Sequence, residues 1–137
     1  MNWFIFAIFA LLAFSGMVLT FKKITLLGVS PVVLMLFVAI FLTVFYALHV
    51  LITKTPIKIN GASLGWLLLA GVLSYLGNLF YIKSIALAPN PGYAVTVAGL
   101  QLAVIAVASF FLFQSEFTLI KGAGIVLAII AGVLLAI

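Results

Sequence analysis

Few side chains in this sequence could take part in acid–base or metal chemistry. The chain has one carboxylate, Glu116, and one histidine, His49, and it contains no cysteine. General acid–base catalysis needs a titratable group beside the reacting atoms, and a metal site needs several such ligands together. We therefore expect no catalytic residue, no metal site and no cofactor, and we expect that the protein is not an enzyme.

Glu116 lies two residues before Thr118, in the segment QSEFT. Thr118 is a good N-cap for a following helix, and a carboxylate before that cap lies at the positive end of the helix dipole. Lys121 falls in the first turn of the same helix and neutralises the acid further. We interpret Glu116 and Lys121 as boundary residues. Lys83 is a third, and we expect its ammonium to reach the headgroups from an apolar stem.

The composition indicates that a lipid bilayer surrounds most of the chain. Hydrophobic residues make up 69% and charged residues 5% of the 137 positions, and the mean hydropathy is +1.58. Soluble domains carry about 25% charged residues, which this chain could not match on a water-facing surface. The basic residues are scattered lysines, which mark membrane boundaries. We therefore expect the bilayer, and no nucleic acid, as a partner.

Five apolar runs with short connections predict an all-α integral membrane protein, a bundle of five transmembrane helices in one domain over residues 1–137. The predicted spans are residues 3–21, 31–53, 62–86, 92–113 and 117–137. Runs of about 17–25 apolar residues cross a hydrocarbon core of about 30 Å as helices. Pro31 suits a first helical turn, and the prolines of APNPG end the third run. Short connections predict antiparallel neighbours, and an odd number of spans places the termini on opposite sides.

The lysines near the span ends do not favour one orientation. One side receives Lys54, Lys58 and Lys121, and the other receives Lys22, Lys23 and Lys83. An excess of basic residues normally marks the cytoplasmic side. Two interpretations stay open: other features set a single orientation, or the chain inserts both ways and pairs with itself as an antiparallel homodimer.

Polar side chains inside the spans are the candidates for a substrate path. They lie on the second, third and fourth runs: Asn78, Tyr81, Tyr75, Ser74, Thr43, Tyr46, Thr96 and Gln101. Such residues either hydrogen-bond between packed helices or line a wet cavity, and both interpretations stay open. Thr96 and Gln101 lie about 140° apart on one helix, so they cannot both point into one cavity centre.

Small residues recur every four positions along the fifth run. They are Gly124, Ala128, Gly132 and Ala136. This spacing predicts a smooth groove on one helix face, which is suited to close helix–helix approach. The groove could serve a dimer contact or packing within one protomer.

The last third of the sequence combines an aromatic-rich helix end, a short turn and a glycine-containing last helix. The positions concerned are Tyr81, Ala86, Glu116, Thr118, Gly122, Gly132 and Val133. Over residues 78–136 this combination resembles the second half of an EamA-like domain of the drug/metabolite transporter superfamily. The earlier spans match that domain by number and length alone. Ser115 replaces the usual glycine of the turn, and APNPG is richer in proline than the usual loop.

The resemblance implies one five-helix half of a transporter whose common form joins two halves as inverted repeats. Substrate sites of such transporters lie between the halves. A small-molecule (metabolite) transporter subunit is therefore expected, acting as a homodimer by alternating access in the plasma or inner membrane of a prokaryote. Amide and aromatic linings without an acid suggest a neutral, zwitterionic or anionic substrate.

Two alternatives stay open. The related four-helix small multidrug exporters have a glutamate in their first span, where this chain offers only Ser15, Gly16 and Thr20 as polar or small breaks. An exporter of that type is therefore disfavoured. The other alternative is a non-transporting membrane partner or accessory subunit that binds through the groove of residues 124–136.

Overall fold

The computed structural model describes residues 3–114 and 118–136, with the side chains of residues 4–114 and 118–135. It contains six helices and no strand in that part of the chain. The helices are α1 (Trp3–Leu26), α2 (Pro31–Thr53), α3 (Gly61–Leu87), α4 (Pro91–Gly99), α5 (Gln101–Phe113) and α6 (Leu119–Ala136). The all-helical fold predicted from the sequence is confirmed.

The helices are long and apolar enough for a membrane protein. Four segments of the described chain could span a bilayer, namely Phe4–Leu26, Pro31–Thr53, Gly61–Leu87 and Pro91–Phe113. The last of these joins α4 and α5. The apolar part of α6, Leu119–Leu135, is shorter and lies near the lower limit for a crossing helix. The chain is therefore a membrane-spanning protein with several long apolar helices.

Local capping explains where the helices begin. Ser30 accepts a hydrogen bond from the backbone N–H of Val33 at 3.4 Å, and Pro31 occupies the first turn, as predicted. The Asn60 side chain accepts a hydrogen bond from the Ser63 backbone N–H at 2.7 Å and caps α3. Short polar side chains at this position satisfy amides that have no partner within the helix.

The helix ends also follow local geometry. Gly28, between α1 and α2, has φ +88°, a left-handed conformation that glycine adopts without strain. Lys54 and Gln114, which end α2 and α5, adopt the same region at φ 52° and 50°. The backbone N–H of Lys54 donates to the Val50 carbonyl, and that of Gln114 donates to the Ser109 carbonyl.

Two features of the helices differ from the sequence prediction by more than a residue or two at an end. The first span was expected to end at residue 21, but α1 continues through both lysines to Leu26. The fourth span was expected to be one helix, but it is interrupted at Leu100. There the N–H of Leu100 bonds the carbonyl of Val97 at 3.1 Å, and Ala103 bonds Leu100 at 3.0 Å. These three-residue bonds tighten the backbone as a 3₁₀ turn does.

The chain divides into two compact units, Met1–Ala86 and Leu87–Ile137. In the first unit, the buried hydrophobic side chains cluster where the ends of α1, α2 and α3 meet. In the second unit, α4 and α5 both contact α6. The single domain predicted over residues 1–137 stays a prediction.

Candidate functional site

A small apolar junction joins α1, α2 and α3. Phe21 near the end of α1, Leu34 near the start of α2 and Ile82 near the end of α3 form its centre. Ile82 and its neighbour Ile85 are completely shielded, and Val18, one turn before Phe21 on α1, is also buried. Because antiparallel neighbours alternate in direction, these three helix ends lie at one membrane face. We call this cluster the junction.

Lys22 strengthens the junction with a charged cap. Its Nζ donates hydrogen bonds to the carbonyl oxygens of Ile85 at 3.2 Å and Ala86 at 3.0 Å. The last carbonyls of a helix lack intrahelical partners and form the negative end of its dipole, so an ammonium group there is favourable. Lys22 thereby connects the end of α1 to the end of α3.

From the sequence, Lys22 is predicted only to mark a membrane boundary, and its contact with α3 is not predicted. The sequence holds one sign that α1 continues past Lys22 and Lys23: the mainly apolar segment ITL, residues 24–26, follows them directly. Nothing local indicates which carbonyls the ammonium meets, because they belong to residues more than sixty positions away.

The candidate residues on α3 bond mainly within their own helix. The Asn78 side-chain amide donates to the Ser74 carbonyl at 2.8 Å, and the Ser84 hydroxyl donates to the Tyr81 carbonyl at 2.7 Å. Asn78 and Tyr81 are half-buried, whereas Ser74 and Tyr75 are exposed. Of these candidates, only Asn78 and Tyr81, in the second half of α3 towards the junction, are partly covered by the rest of the chain.

The candidate residues on α2 are exposed. The Thr43 hydroxyl donates to the Ala39 carbonyl at 2.8 Å, and Tyr46 is 69% exposed. No hydrogen bond links Thr43 or Tyr46 to the polar side chains of α3 within the described residues. The structure therefore does not bring the α2 and α3 candidates together in one protomer, and their role in a substrate path stays a prediction.

The two candidates of the fourth run lie on either side of its interruption. On α4, the Thr96 hydroxyl donates to the Gly92 carbonyl at 2.8 Å. Gln101 begins α5 directly after Leu100 and its side chain is exposed. An interrupted helix near mid-membrane is a recurring feature of substrate sites in transporters.

The small residues of α6 have different surroundings. Gly132 is buried, and a Cβ added there would lie 2.7 Å from Cδ2 and 3.1 Å from Cγ of Leu100. Gly124 has no atom within 4 Å of such a Cβ, and Ala128 is half-buried. The Gly132 end of the groove therefore packs within the protomer, against Leu100. Ala136 ends α6, and its side chain lies outside the described residues.

The boundary residues are placed in part. Thr118 caps α6, because its hydroxyl accepts from the Lys121 N–H at 3.3 Å and its carbonyl accepts from Gly122 at 2.9 Å. The predicted cap is thus confirmed, and Lys121 and Lys83 are exposed. Glu116 lies outside the described residues, so its predicted boundary role is untested.

The chemistry offered by these residues is hydrogen bonding by amides and hydroxyls. No group of three or more metal-ligating side chains occurs among the described residues. Comparison of the chain with protein-family models, with curated proteins and with solved structures finds no match. The function of this chain is therefore inferred from its own residues and helices, without a known relative.

Proposed function

We propose that this chain is a small-molecule transporter subunit of the drug/metabolite type. In this proposal it is one five-helix half of an inverted-repeat transporter, and two copies form an antiparallel homodimer in the inner membrane of a prokaryote. The resemblance of residues 78–136 to an EamA-like domain and the equal division of lysines support the proposal. Each argument is independent, because one depends on motifs and the other on charge.

The observation that carries the proposal is the uneven packing along α1, α2 and α3. The described buried hydrophobic side chains of these helices lie at the junction or within one helical turn of it, at one membrane face. Towards the other face the same helices expose large apolar side chains, such as Phe9, Phe45 and Leu68. Alternating access requires a bundle that closes at one face while the other stays separable. A bundle packed only at one end meets that requirement.

The substrate class follows from the polar groups available. Asn78 supplies an amide and Tyr81 a phenol, and both are half-buried on α3. The only side-chain carboxylate in the sequence, Glu116, falls between the fourth and fifth predicted spans, so a cationic substrate would lack a counter-charge within the spans. We therefore propose a neutral, zwitterionic or anionic metabolite that accepts and donates hydrogen bonds.

Transport by the purified protein in lipid vesicles tests this proposal. Uptake would be measured for a panel containing a neutral sugar, a zwitterionic amino acid, a dicarboxylate and a quaternary ammonium ion. We expect uptake of at least one of the first three. Asn78→Ala and Tyr81→Phe should each reduce that uptake about tenfold or more. Each change removes one hydrogen bond to the bound solute, and a loss of about 1.4 kcal/mol in binding free energy lowers affinity tenfold.

Leu73→Ala is the matched control, since Leu73 lies on α3 near mid-span and is 59% exposed. It should transport like the unmodified chain. Uptake of the ammonium ion alone would contradict the proposed substrate class. Unchanged uptake in both the Asn78 and Tyr81 variants would show that the proposed site is wrong.

The open part of the α6 groove favours a second candidate function. A Cβ built on Gly124 meets no atom of another element within 4 Å, so a helix of another membrane protein could approach there. In that case the chain would be an accessory subunit. Counting protomers in nanodiscs separates the candidates, because a transporter of the proposed kind gives two copies, whereas an accessory subunit gives one copy bound to a larger protein.

A further inference from the structure

Gln101 lies close to the middle of the membrane. It is the eleventh of the 23 residues in Pro91–Phe113, one position before the central residue. At about 1.5 Å per residue, its Cα is about 15 Å from one end of this segment and about 18 Å from the other. Its side chain is exposed, so it leaves the protein surface where the surroundings are hydrocarbon.

The amide of Gln101 has no hydrogen-bond partner within the described part of the chain. The other amide inside the predicted spans, Asn78, bonds the Ser74 carbonyl of its own helix, as Thr96 bonds Gly92. Short side chains can reach the carbonyl four residues earlier, whereas the longer glutamine side chain extends away from its helix. An amide left without partners in hydrocarbon is costly, so Gln101 should find a partner outside the protomer.

A second copy of this chain can supply that partner. A side-chain amide carries both donors and an acceptor, so two glutamines related by a two-fold axis can exchange N–H···O bonds reciprocally. A residue at mid-depth stays at mid-depth when the chain is inverted. Among the described polar side chains of this span, Gln101 alone combines central depth, exposure and a free amide.

We propose that Gln101 pairs with Gln101 of a second copy, in an antiparallel dimer whose two-fold axis lies near the bilayer midplane. The surrounding surface suits such a contact. Val104 and Ile105, which are 70% and 58% exposed, lie one turn after Gln101 on the same face of α5, and Val97, which is 44% exposed, lies four residues before it near the end of α4. These apolar side chains can pack around the amide pair and exclude lipid from it.

This inference rests on the proposed function in one respect, the assumption that the chain works as a homodimer. It does not depend on the substrate or on transport. Either the Gln101 pairing or the transport activity can therefore be disproved without the other. Crosslinking and energy transfer report on the pairing, and uptake into vesicles reports on transport.

Cysteine crosslinking of the full-length chain in lipid vesicles tests the pairing. The sequence has no cysteine, so each single variant carries one thiol. With copper(II) phenanthroline as oxidant, Gln101→Cys should form a disulfide-linked dimer. Leu73→Cys is the matched control, since Leu73 is also one position before the centre of its 27-residue helix and is 59% exposed. Equal crosslinking at both positions, or none at position 101, would overturn the proposal.

A mixed experiment tests the antiparallel register. Residue 97 on α4 and residue 105 on α5 are each four positions from Gln101, which corresponds to about 6 Å along the span. In an antiparallel dimer, Val97→Cys in one copy meets Ile105→Cys in the other, whereas two Ile105→Cys copies are about 12 Å apart along the axis. We expect crosslinks from the mixture and few from Ile105→Cys alone. The reverse result would indicate a parallel dimer and overturn the proposed axis.

Association in nanodiscs or diluted vesicles, measured by energy transfer between labelled copies, provides a readout without a thiol at the contact. Gln101→Leu should weaken dimerisation about tenfold, which corresponds to about 1.4 kcal/mol. Gln101→Asn should keep part of the affinity, and Leu73→Ile, on α3 and outside the proposed contact, should change it little. If Gln101→Leu abolishes uptake but leaves association unchanged, Gln101 contacts substrate and the pairing is wrong. If the pairing holds in a chain that transports nothing, the proposed function fails and the dimer contact stands.

Discussion

The two compact units hold their helices together in different ways. In residues 1–86, an apolar junction and the charged cap of Lys22 join three helix ends at one membrane face. In residues 87–137, the Leu100 side chain instead packs against α6 at Gly132, which lies within the helix and not at its end. The helices of the first unit are joined at the membrane boundary by a cation and large apolar side chains. The helices of the second unit pack closely where a glycine has no side chain.

This difference has a physical cause. An ammonium group is tolerated at the membrane boundary, where the last carbonyls of α3 are also unpaired, but it is expensive in the hydrocarbon core. Away from the boundary, lipid tails are as apolar as the side chains, so close packing at small residues drives helix association. Position along the membrane normal therefore selects the kind of contact between helices, and three substitutions test this conclusion.

Ile82→Ala should have the largest effect, because Ile82 is completely shielded at the junction. We expect a loss of about 2 kcal/mol in the free energy of unfolding, near the low end for buried large-to-alanine changes, since lipid removes most of the transfer contribution. Unfolding in mixed micelles would be followed by circular dichroism. Leu73→Ala is the exposed control on α3, and an equal loss there would show that the junction is not the stabilising part of the unit.

Gly132→Val should destabilise the second unit by about 1–2 kcal/mol, because the new side chain would overlap Leu100. Gly124→Val should be nearly neutral, since no atom lies within 4 Å of its added Cβ. The same unfolding measurement applies. Combining Gly132→Val with Leu100→Ala should restore part of the loss, as expected for two residues in contact. Additive losses would contradict the proposed packing.

Lys22→Met should have the smallest effect, about 1 kcal/mol, because it removes a cation from the end of a helix at a partly solvated boundary. The last turn of α3 should then fray, and its backbone amides should exchange hydrogen for deuterium faster. Lys23→Met is the neighbouring control, since Lys23 is exposed. Identical exchange in the two variants would mean that the cap of Lys22 does not stabilise α3.

Helix starts could be predicted in part from the sequence. Ser30 before Pro31, and Thr118 before α6, occupy the cap positions that their residue types indicate. The interruption at Leu100 was not predicted, because Gly99 alone does not distinguish a broken helix from a continuous one. The roles of Asn78, Tyr81 and Gln101 in binding substrate stay predictions.

The sequence by itself determined that this chain crosses a membrane as helices and where most of those helices begin, because hydropathy and capping act over a few neighbouring residues. Only the tertiary structure decided that Lys22 meets the carbonyls of Ile85 and Ala86 and that Gly132 receives Leu100. In a chain that is apolar on every face, the hydrophobic pattern does not distinguish packed surfaces from lipid-facing ones. Those contacts join residues that are far apart in the sequence. They depend on how whole helices pack, which a pattern of neighbouring residues does not indicate.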